Sequence, residues 1–347
     1  MKKISFFNFT LNDLENFCIK NGAKKFNAKQ IYDWVYKKHV VSFDDMTNIS
    51  KPTIKMLKKK LSLDLLTIER IQIDKKDKTT KFLFKLEDGH YIESVLMFFN
   101  WGTSICISSE IGCPMGCKFC ASGQLKIVRK LKPFEFVLQY YVINEYLLKH
   151  ENIKVNNIVI MGVGEPFDNY DNLINALKII NNPYGIEIGS RHITVSTCGI
   201  VPKILQFAND QPQINLAISL HAPTDEIRNK IMPINKSYPL KVLLSSIDKY
   251  IYKTNRRVGF EYIMIDGLND TKECLNQLIK IAKNRLCFIN LIAYNDIKKT
   301  TFKKSKKINQ FKYLLNKNNI MTTLRLERGS NIDAACGQLR AKYEKQI

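Results

Sequence analysis

The chain has 347 residues, 45% of them hydrophobic, and its 54 Lys and Arg against 32 Asp and Glu give a formal net charge of +22. That balance fits a globular protein with a sizeable core, and no run approaches the ~20 apolar residues that span a bilayer. The basic start MKKISFFNF is broken at once by Asn, Asp and Glu, so it does not read as a signal peptide, and a cytoplasmic protein without membrane association is expected.

In chain order, TLNDLENFCIKNG predicts a helix, with an apolar face at Leu11, Leu14, Phe17 and Cys18, Thr10 as N-cap and Gly22 as the stop. NAKQIYDWVYKK and KPTIKMLKKKLSL predict two more helices. LTIERIQID, TKFLFKLEDG and YIESVLMFF alternate like strands, with turns at KKDK and EDGH. Residues 1–95 are therefore expected to form a helical accessory domain with a small antiparallel β extension. From SICISSE onward the chain alternates strand and helix. The strands are NNIVIMGVGEP, HITVSTCG, INLAISLHA, VGFEYIMIDG, CFINLIAYN and MTTLRLER. Six or seven such units predict a parallel α/β sheet over 96–347, a closed or partly closed barrel, with a doubly wound open sheet as the alternative. In such barrels chemistry gathers at the C-terminal strand ends. Polar groups collect there: GVGEP, then Ser196 and Thr197, then Ser219 and His221, then Asn295.

The charge is spread, with +7 in the first 93 residues and +15 in the remainder. A broad basic face suits a folded enzyme acting on a polyanion such as RNA; a generally lysine-rich composition accounts for part of the excess. Nine cysteines, an odd number, in a chain without a secretion signal point to reduced thiols, and clustered ones to metal binding or chemistry.

GCPMGCKFC sets Cys113, Cys117 and Cys120 in a C-x3-C-x2-C spacing. A structural zinc ion takes four ligands, and a [4Fe–4S] cubane likewise one cysteine per iron. With three, either one iron stays open for a small ligand, or a zinc knuckle recruits Cys106 or Cys198 as its fourth ligand. Glu165, after a glycine that lets the strand end approach closely, offers an acceptor to an ammonium group.

The spacing, its place after the first barrel strand, and Phe119 before the third cysteine resemble the radical S-adenosylmethionine (SAM) superfamily. CISSEIGCPMGCKFC, MGVGEP, ITVSTCGIVP, LAISLHAPTDEIRNKIMPIN and NIDAACGQL, collinear from about Tyr91 to Leu339, resemble its adenine-C2 methyltransferases of 23S rRNA and tRNA, the RlmN type. The resemblance implies a partial (β/α)6-type radical-SAM barrel with a small helical N-terminal RNA-binding domain. It implies a [4Fe–4S] cluster on Cys113, Cys117 and Cys120, and SAM contacts from Gly164, Glu165, Ser196, Ser219, Leu220, His221 and Asn295. Cys336 matches the cysteine that becomes S-methylated, Cys106 the resolving cysteine of a transient Cys106–Cys336 disulfide, and Glu93 the proton acceptor.

Carbon 2 of adenine is not nucleophilic and cannot attack a sulfonium methyl, so a radical cofactor is required; a thiolate attacks that methyl readily. The implied route uses two SAM molecules. One methylates Cys336; the other gives an adenosyl radical that activates the new methyl group for addition to C2. Implied partners are 23S rRNA, tRNA as a second substrate, and an electron donor such as flavodoxin or ferredoxin, with the enzyme a monomer. Trp101, Arg325 and Arg328 fall near the expected mouth, as candidates for stacking or phosphate contacts. Methylation at C8 of the same rRNA adenosine is the nearest alternative, and NLIAYN is intermediate between the two groups. A catalytically inert RNA-binding scaffold would need neither Cys106 nor Cys336.

Overall fold

The computed structural model describes residues 3–297, 300–325, 327–334 and 336–339. Helices α1 (Leu11–Lys20), α2 (Asn27–Tyr36) and α3 (Lys51–Lys60) form the N-terminal unit. The Thr10 hydroxyl accepts from the Asp13 N–H and starts α1. The third helix is shorter than its sequence pattern: Leu61–Ser62 leave it to pair in parallel with Ile4–Ser5. The unit packs on the barrel through aromatic rings. Phe7 lies 5.0 Å from Tyr141, whose hydroxyl donates to the Val35 carbonyl at 3.1 Å.

Ten strands form one sheet in chain order: β1 (Thr67–Ile73), β2 (Thr80–Lys85), β3 (Tyr91–Phe99), β4 (Gly102–Ile107), β5 (Asn157–Ile160), β6 (Ile193–Thr197), β7 (Asn215–Ser219), β8 (Val258–Met264), β9 (Cys287–Ala293) and β10 (Thr322–Arg325). Pairing is antiparallel from β1 to β4 and parallel from β4 to β10. The β extension is thus continuous with the barrel wall, and position 95 falls inside β3. A doubly wound sheet reverses its strand order at a switch point; this order never reverses, so one-handed crossovers keep the helices on one face and curl the sheet into an open barrel.

The crossovers are α4 (Pro133–Glu151), α5 (Tyr170–Ile180), α6 (Val201–Asp210), α7 (Asp225–Ile231) with α8 (Leu240–Thr254), α9 (Lys272–Ala282) and α10 (Ile308–Lys317). Sequence periodicity did not single out α7. Alternation along the strands sends one set of side chains outward under the helices, where Ile158, Ile193, Val195, Phe260 and Ile289 are fully buried. The other set faces the lumen. Gln139 of α4 ties the helix to the wall: its Oε1 accepts from Ser94 Oγ and the Ser108 N–H, both at 2.8 Å. Among the described residues no helix is long and apolar enough to cross a membrane.

Candidate active site

The cysteine loop leaves the end of β4. Glu110–Ile111 pair antiparallel with Arg129–Lys130 and close its base. Within it the Cys120 N–H donates to the Cys117 carbonyl at 3.3 Å, and the Lys118 N–H to the Ile231 carbonyl at 3.0 Å. Cys113, Cys117 and Cys120 line one cavity at the C-terminal mouth of the lumen. Burial pushes the Cys113 thiol up to about 12 and raises Cys117 and Cys120 as well. Three partly buried thiols that resist ionisation need positive charge to become ligands. All three line one cavity wall, which a polynuclear cluster with its own bridging atoms can span. The donor set therefore fits a [4Fe–4S] cluster.

Opposite the loop stands the glycine-rich end of β5. Gly164 adopts φ +108°, and a Cβ there would meet Ser109 Oγ at 2.5 Å and the Glu110 Cβ at 2.7 Å. Glu165 is fastened by the backbone: Oε1 accepts from the Phe167 N–H at 3.0 Å and Oε2 from the Cys198 N–H at 2.7 Å. Burial raises its pKa, and the Cys198 amide opposes that. Gly164, Glu165, Ser196, Ser219 and His221 share the cavity with the three cysteines. His221 has φ +53°, accepts from the Ile263 N–H at Nδ1 (3.1 Å), and meets Phe119 edge-on at 4.7 Å. Burial lowers its pKa to about 3, so the ring is neutral with its proton on Nε2. Two expected SAM positions lie apart from this wall. Leu220 is fully buried and gives its N–H to the Glu261 carbonyl at 3.1 Å. Asn295 Nδ2 donates to the Cys336 carbonyl at 3.1 Å.

The C-terminal loop folds back onto the cysteine loop, and the Ala121 N–H donates to the Gly337 carbonyl at 2.8 Å. Cys336 thereby enters the cluster cavity and, with Cys106, Cys120 and Arg325, lines a small adjoining one. Burial pushes the Cys106 thiol up to about 12. Both are separate thiols rather than a disulfide. Glu93, on β3, is buried and lines neither cavity; its Oε1 lies 3.4 Å from Lys81 Nζ. That amine also reaches the Asp333 carbonyl, at 3.4 Å, three residues before Cys336.

Two groups escaped sequence reasoning. Arg228 of α7 is fully buried and donates to the carbonyls of Cys198 (2.6 Å), Ser219 (3.3 Å) and Leu220 (3.2 Å) and to Asn235 Oδ1 (2.9 Å). It binds the ends of β6 and β7 together. Glu261 of β8 sits in the lumen, held by Asn290 Nδ2 at 2.8 Å and Arg325 at 3.5 Å. Arg228 lies within the quoted LAISLHAPTDEIRNKIMPIN stretch but carries no assigned role there, because an Arg in DEIRNKIMPIN looks solvent-facing until the fold turns it inward; Glu261 lies in no quoted motif.

A sequential parallel β/α sheet, with three cysteines on the loop after its first parallel strand and a glycine-rich lip facing them, defines a radical SAM enzyme. The Radical SAM superfamily matches residues 108–279, and the ribosomal RNA large subunit methyltransferase N-terminal domain matches residues 4–63. The chain is 51% identical over 338 residues (97% of this chain, 96% of the relative) to a Malacoplasma penetrans protein described as a probable dual-specificity RNA methyltransferase RlmN. A Spiroplasma citri protein of the same description is 48% identical, over 99% of each chain. The crystal structure of a radical SAM methyltransferase from Sphaerobacter thermophilus superposes with a TM-score of 0.91 at 38% identity, covering 98% of this chain and all of that one. The chain belongs to the RlmN family of radical SAM methyltransferases.

Proposed function

We propose that this protein is an RNA methyltransferase that places a methyl group on C2 of an adenosine in 23S rRNA, at the peptidyl-transferase centre (nucleotide 2503 in the usual rRNA numbering), and on adenosine 37 of some tRNAs. The observation that carries the reading is the return of the Cys336 loop onto the cysteine loop, through the 2.8 Å bond from Ala121 to Gly337. It brings a thiol with no ligand role into the cluster cavity, next to a second one, Cys106.

Cys113, Cys117 and Cys120 would hold the [4Fe–4S] cluster and leave one iron for SAM; when bound, the pair supplies one-electron reductive chemistry that side chains lack. Gly164 and the fastened Glu165 form the wall against which the methionine end of SAM lies, and Ser196, Ser219 and neutral His221 line its remainder. Leu220 and Asn295 stand apart from that wall, Leu220 buried behind it and Asn295 on the Cys336 carbonyl, and count as SAM positions through the family resemblance alone. The chain's own part begins at Cys336. Its sulfur gives up its proton and takes the methyl of one SAM, the new S–C bond forming as the sulfonium C–S bond breaks and S-adenosylhomocysteine leaves; the methyl carbon, once it has lost a hydrogen atom, bonds C2. Glu93, which reaches this loop through Lys81, takes the C2 proton. Cys106 then bonds to Cys336 Sγ as the S–C bond breaks, the released carbon taking a proton to become the product methyl; two electrons and two protons from an external reductant reset the disulfide, and an electron donor such as flavodoxin or ferredoxin would reduce the cluster. Arg325 stands beside both thiols, and its charge opposes the burial that raises the Cys106 pKa.

Cys336→Ala abolishes methylation of an rRNA fragment, while Cys106→Ala accumulates a covalent protein–RNA adduct. Methyl transfer by Cys336→Ala would overturn the mechanism. Mass mapping of the product separates C2 from C8; a C8 product would overturn the regiochemistry alone.

A further inference from the structure

The ten-stranded sheet ends on β1 at one side and on β10 at the other, and the loop that carries Cys336 follows β10. Its first residues cross to the turn between β1 and β2, at the opposite edge of the sheet and more than 250 residues away in the chain. The Gly329 N–H donates to Asp77 Oδ2 at 3.2 Å, the Asn331 N–H to Asp74 Oδ2 at 3.4 Å, and Asn331 Nδ2 to Asp74 Oδ1 at 3.1 Å. Gly329 stands so close to the turn that a Cβ there would meet Thr79 Cγ2 at 2.8 Å. Lys81, on β2, adds its contact with the Asp333 carbonyl.

The turn is built to present these two carboxylates. The Asp74 N–H donates to the Thr79 carbonyl at 2.8 Å, and the Lys78 N–H to the Asp74 carbonyl at 2.9 Å. Each aspartate then divides its side chain. Asp74 Oδ1 accepts from the Lys76 N–H and Asp77 Oδ1 from the Thr79 N–H, both at 2.9 Å, which shapes the turn. The Oδ2 atoms are left for the Cys336 loop. The Lys76 N–H and the Asn331 amide hold the Asp74 carboxyl below its ordinary range, so it accepts these bonds as an anion, which makes them the stronger kind. Beyond Cys336 the supports belong to the barrel. Asn295 donates to the Cys336 carbonyl at 3.1 Å, Ala121 to that of Gly337 at 2.8 Å, and Gln338 Nε2 to that of Asp296 at 3.4 Å. Between the two sets of supports Ala334 packs with Val95, Cys106 and Val163. Cys336 is therefore slung across the seam of the open barrel, with fixed points on both sides.

We propose that Asp74 and Asp77 are positioning residues for Cys336: the β1–β2 turn pins the upstream end of the loop and so sets where the thiol stands between the SAM wall and Cys106. One sulfur has to meet the SAM methyl, adenine C2 and Cys106 in turn, and a misplacement of about 1 Å costs about 100-fold in rate. Lys81 touches both Asp333 and Glu93, so the same hairpin sets the thiol and the proton acceptor relative to each other. The inference rests on the methyl-carrying role of Cys336 given above and adds to it the part played by the hairpin.

The test follows the first half of the reaction, methyl transfer from SAM to Cys336, in cluster-loaded protein at saturating SAM without RNA. The readout is mass spectrometry of the Cys336 peptide. Asn331→Asp, which sets a second carboxylate against Asp74, is expected to slow the transfer about 100-fold, and Asp74→Asn about tenfold. The exchanged pair, Asp74→Asn/Asn331→Asp, again sets one carboxylate against one amide and is expected to return the rate to within about threefold of wild type. Glu69→Gln, on the exposed side of β1, leaves the rate near wild type. SAM affinity, measured by equilibrium dialysis, keeps its wild-type value in all four, because none of them touches the SAM wall. In cluster-free protein Cys336 of Asn331→Asp reacts faster with iodoacetamide, while Cys18, fully buried on α1, keeps its wild-type rate. Wild-type transfer rates in both single variants would overturn the proposal, as would slow single variants that the exchanged pair fails to restore. A fall of SAM affinity in step with the rate, or faster labelling of Cys18, would reduce the turn to general support of the fold and overturn it too. Absence of Cys336 methylation in the wild-type protein would instead overturn the function.

Discussion

Replacing Arg228 by Met removes a buried cation while filling most of its space. The guanidinium makes four hydrogen bonds, to the carbonyls of Cys198, Ser219 and Leu220 and to Asn235. At about 1.5–3 kcal/mol for each bond from a charged donor, their gross worth is roughly 6–12 kcal/mol. Against that stands the desolvation of the guanidinium, several kcal/mol at such a site; the same burial pulls its pKa below the ordinary value. The balance is a net loss of about 3 kcal/mol, or about a hundredfold in an opening equilibrium. The loss is local, because the four acceptors lie at the ends of β6 and β7 and in the turn after α7. Native-state hydrogen exchange should show the amides of Gly199 and Ala222 exchanging about a hundredfold faster, while α1–α3 keep their protection. SAM affinity should fall with it, since Ser219 and His221 lose their support. Arg228→Lys, which keeps the charge without the fork, should fall between. Wild-type protection at both strand ends in Arg228→Met would refute the assignment of Arg228 as the tie between them.

Burial pushes the Glu110 carboxyl from its ordinary 4.5 up to about 8. Between those values the folded chain keeps a proton that the unfolded chain has lost, so this group's contribution to stability falls as pH rises from about 4 to about 8 and is level above that. Glu110→Gln should flatten that part of a urea-midpoint profile of the metal-free protein; parallel profiles would contradict it. Gly164→Ala places a Cβ 2.5 Å from Ser109 Oγ at φ +108°. Backbone strain of about 1–3 kcal/mol plus the clash should reduce SAM binding by tenfold or more, measured by equilibrium dialysis; unchanged affinity would show that the lip can shift freely. Anaerobic reconstitution should give about four irons and four acid-labile sulfides per chain; stoichiometric zinc without iron would end the radical reading.

How much was legible beforehand differs between neighbouring residues. Helix α1 was readable from Thr10 to Gly22 because caps and periodicity act within a few residues. α3 overran its true end, because Leu61 and Ser62 answer to a strand partner near the N-terminus. The three early strands were recognised as strands. Their merger with the barrel into one sheet depends on the β3–β4 pairing, a tertiary fact.

The same line divides the site. The cysteine triplet, the glycine-rich lip and the alternation of strand and helix can be read from contiguous residues, whose spacing is the chemistry. That Cys336 lies against the cysteine loop, more than 200 residues away in the chain, and that Arg228 turns inward follow from the folded chain alone. It alone brings Asp74 and Asp77 against Asn331 and Gly329. Those residues share no local pattern. What unites them is the curl of the sheet, which brings the starts and ends of distant strands around one lumen.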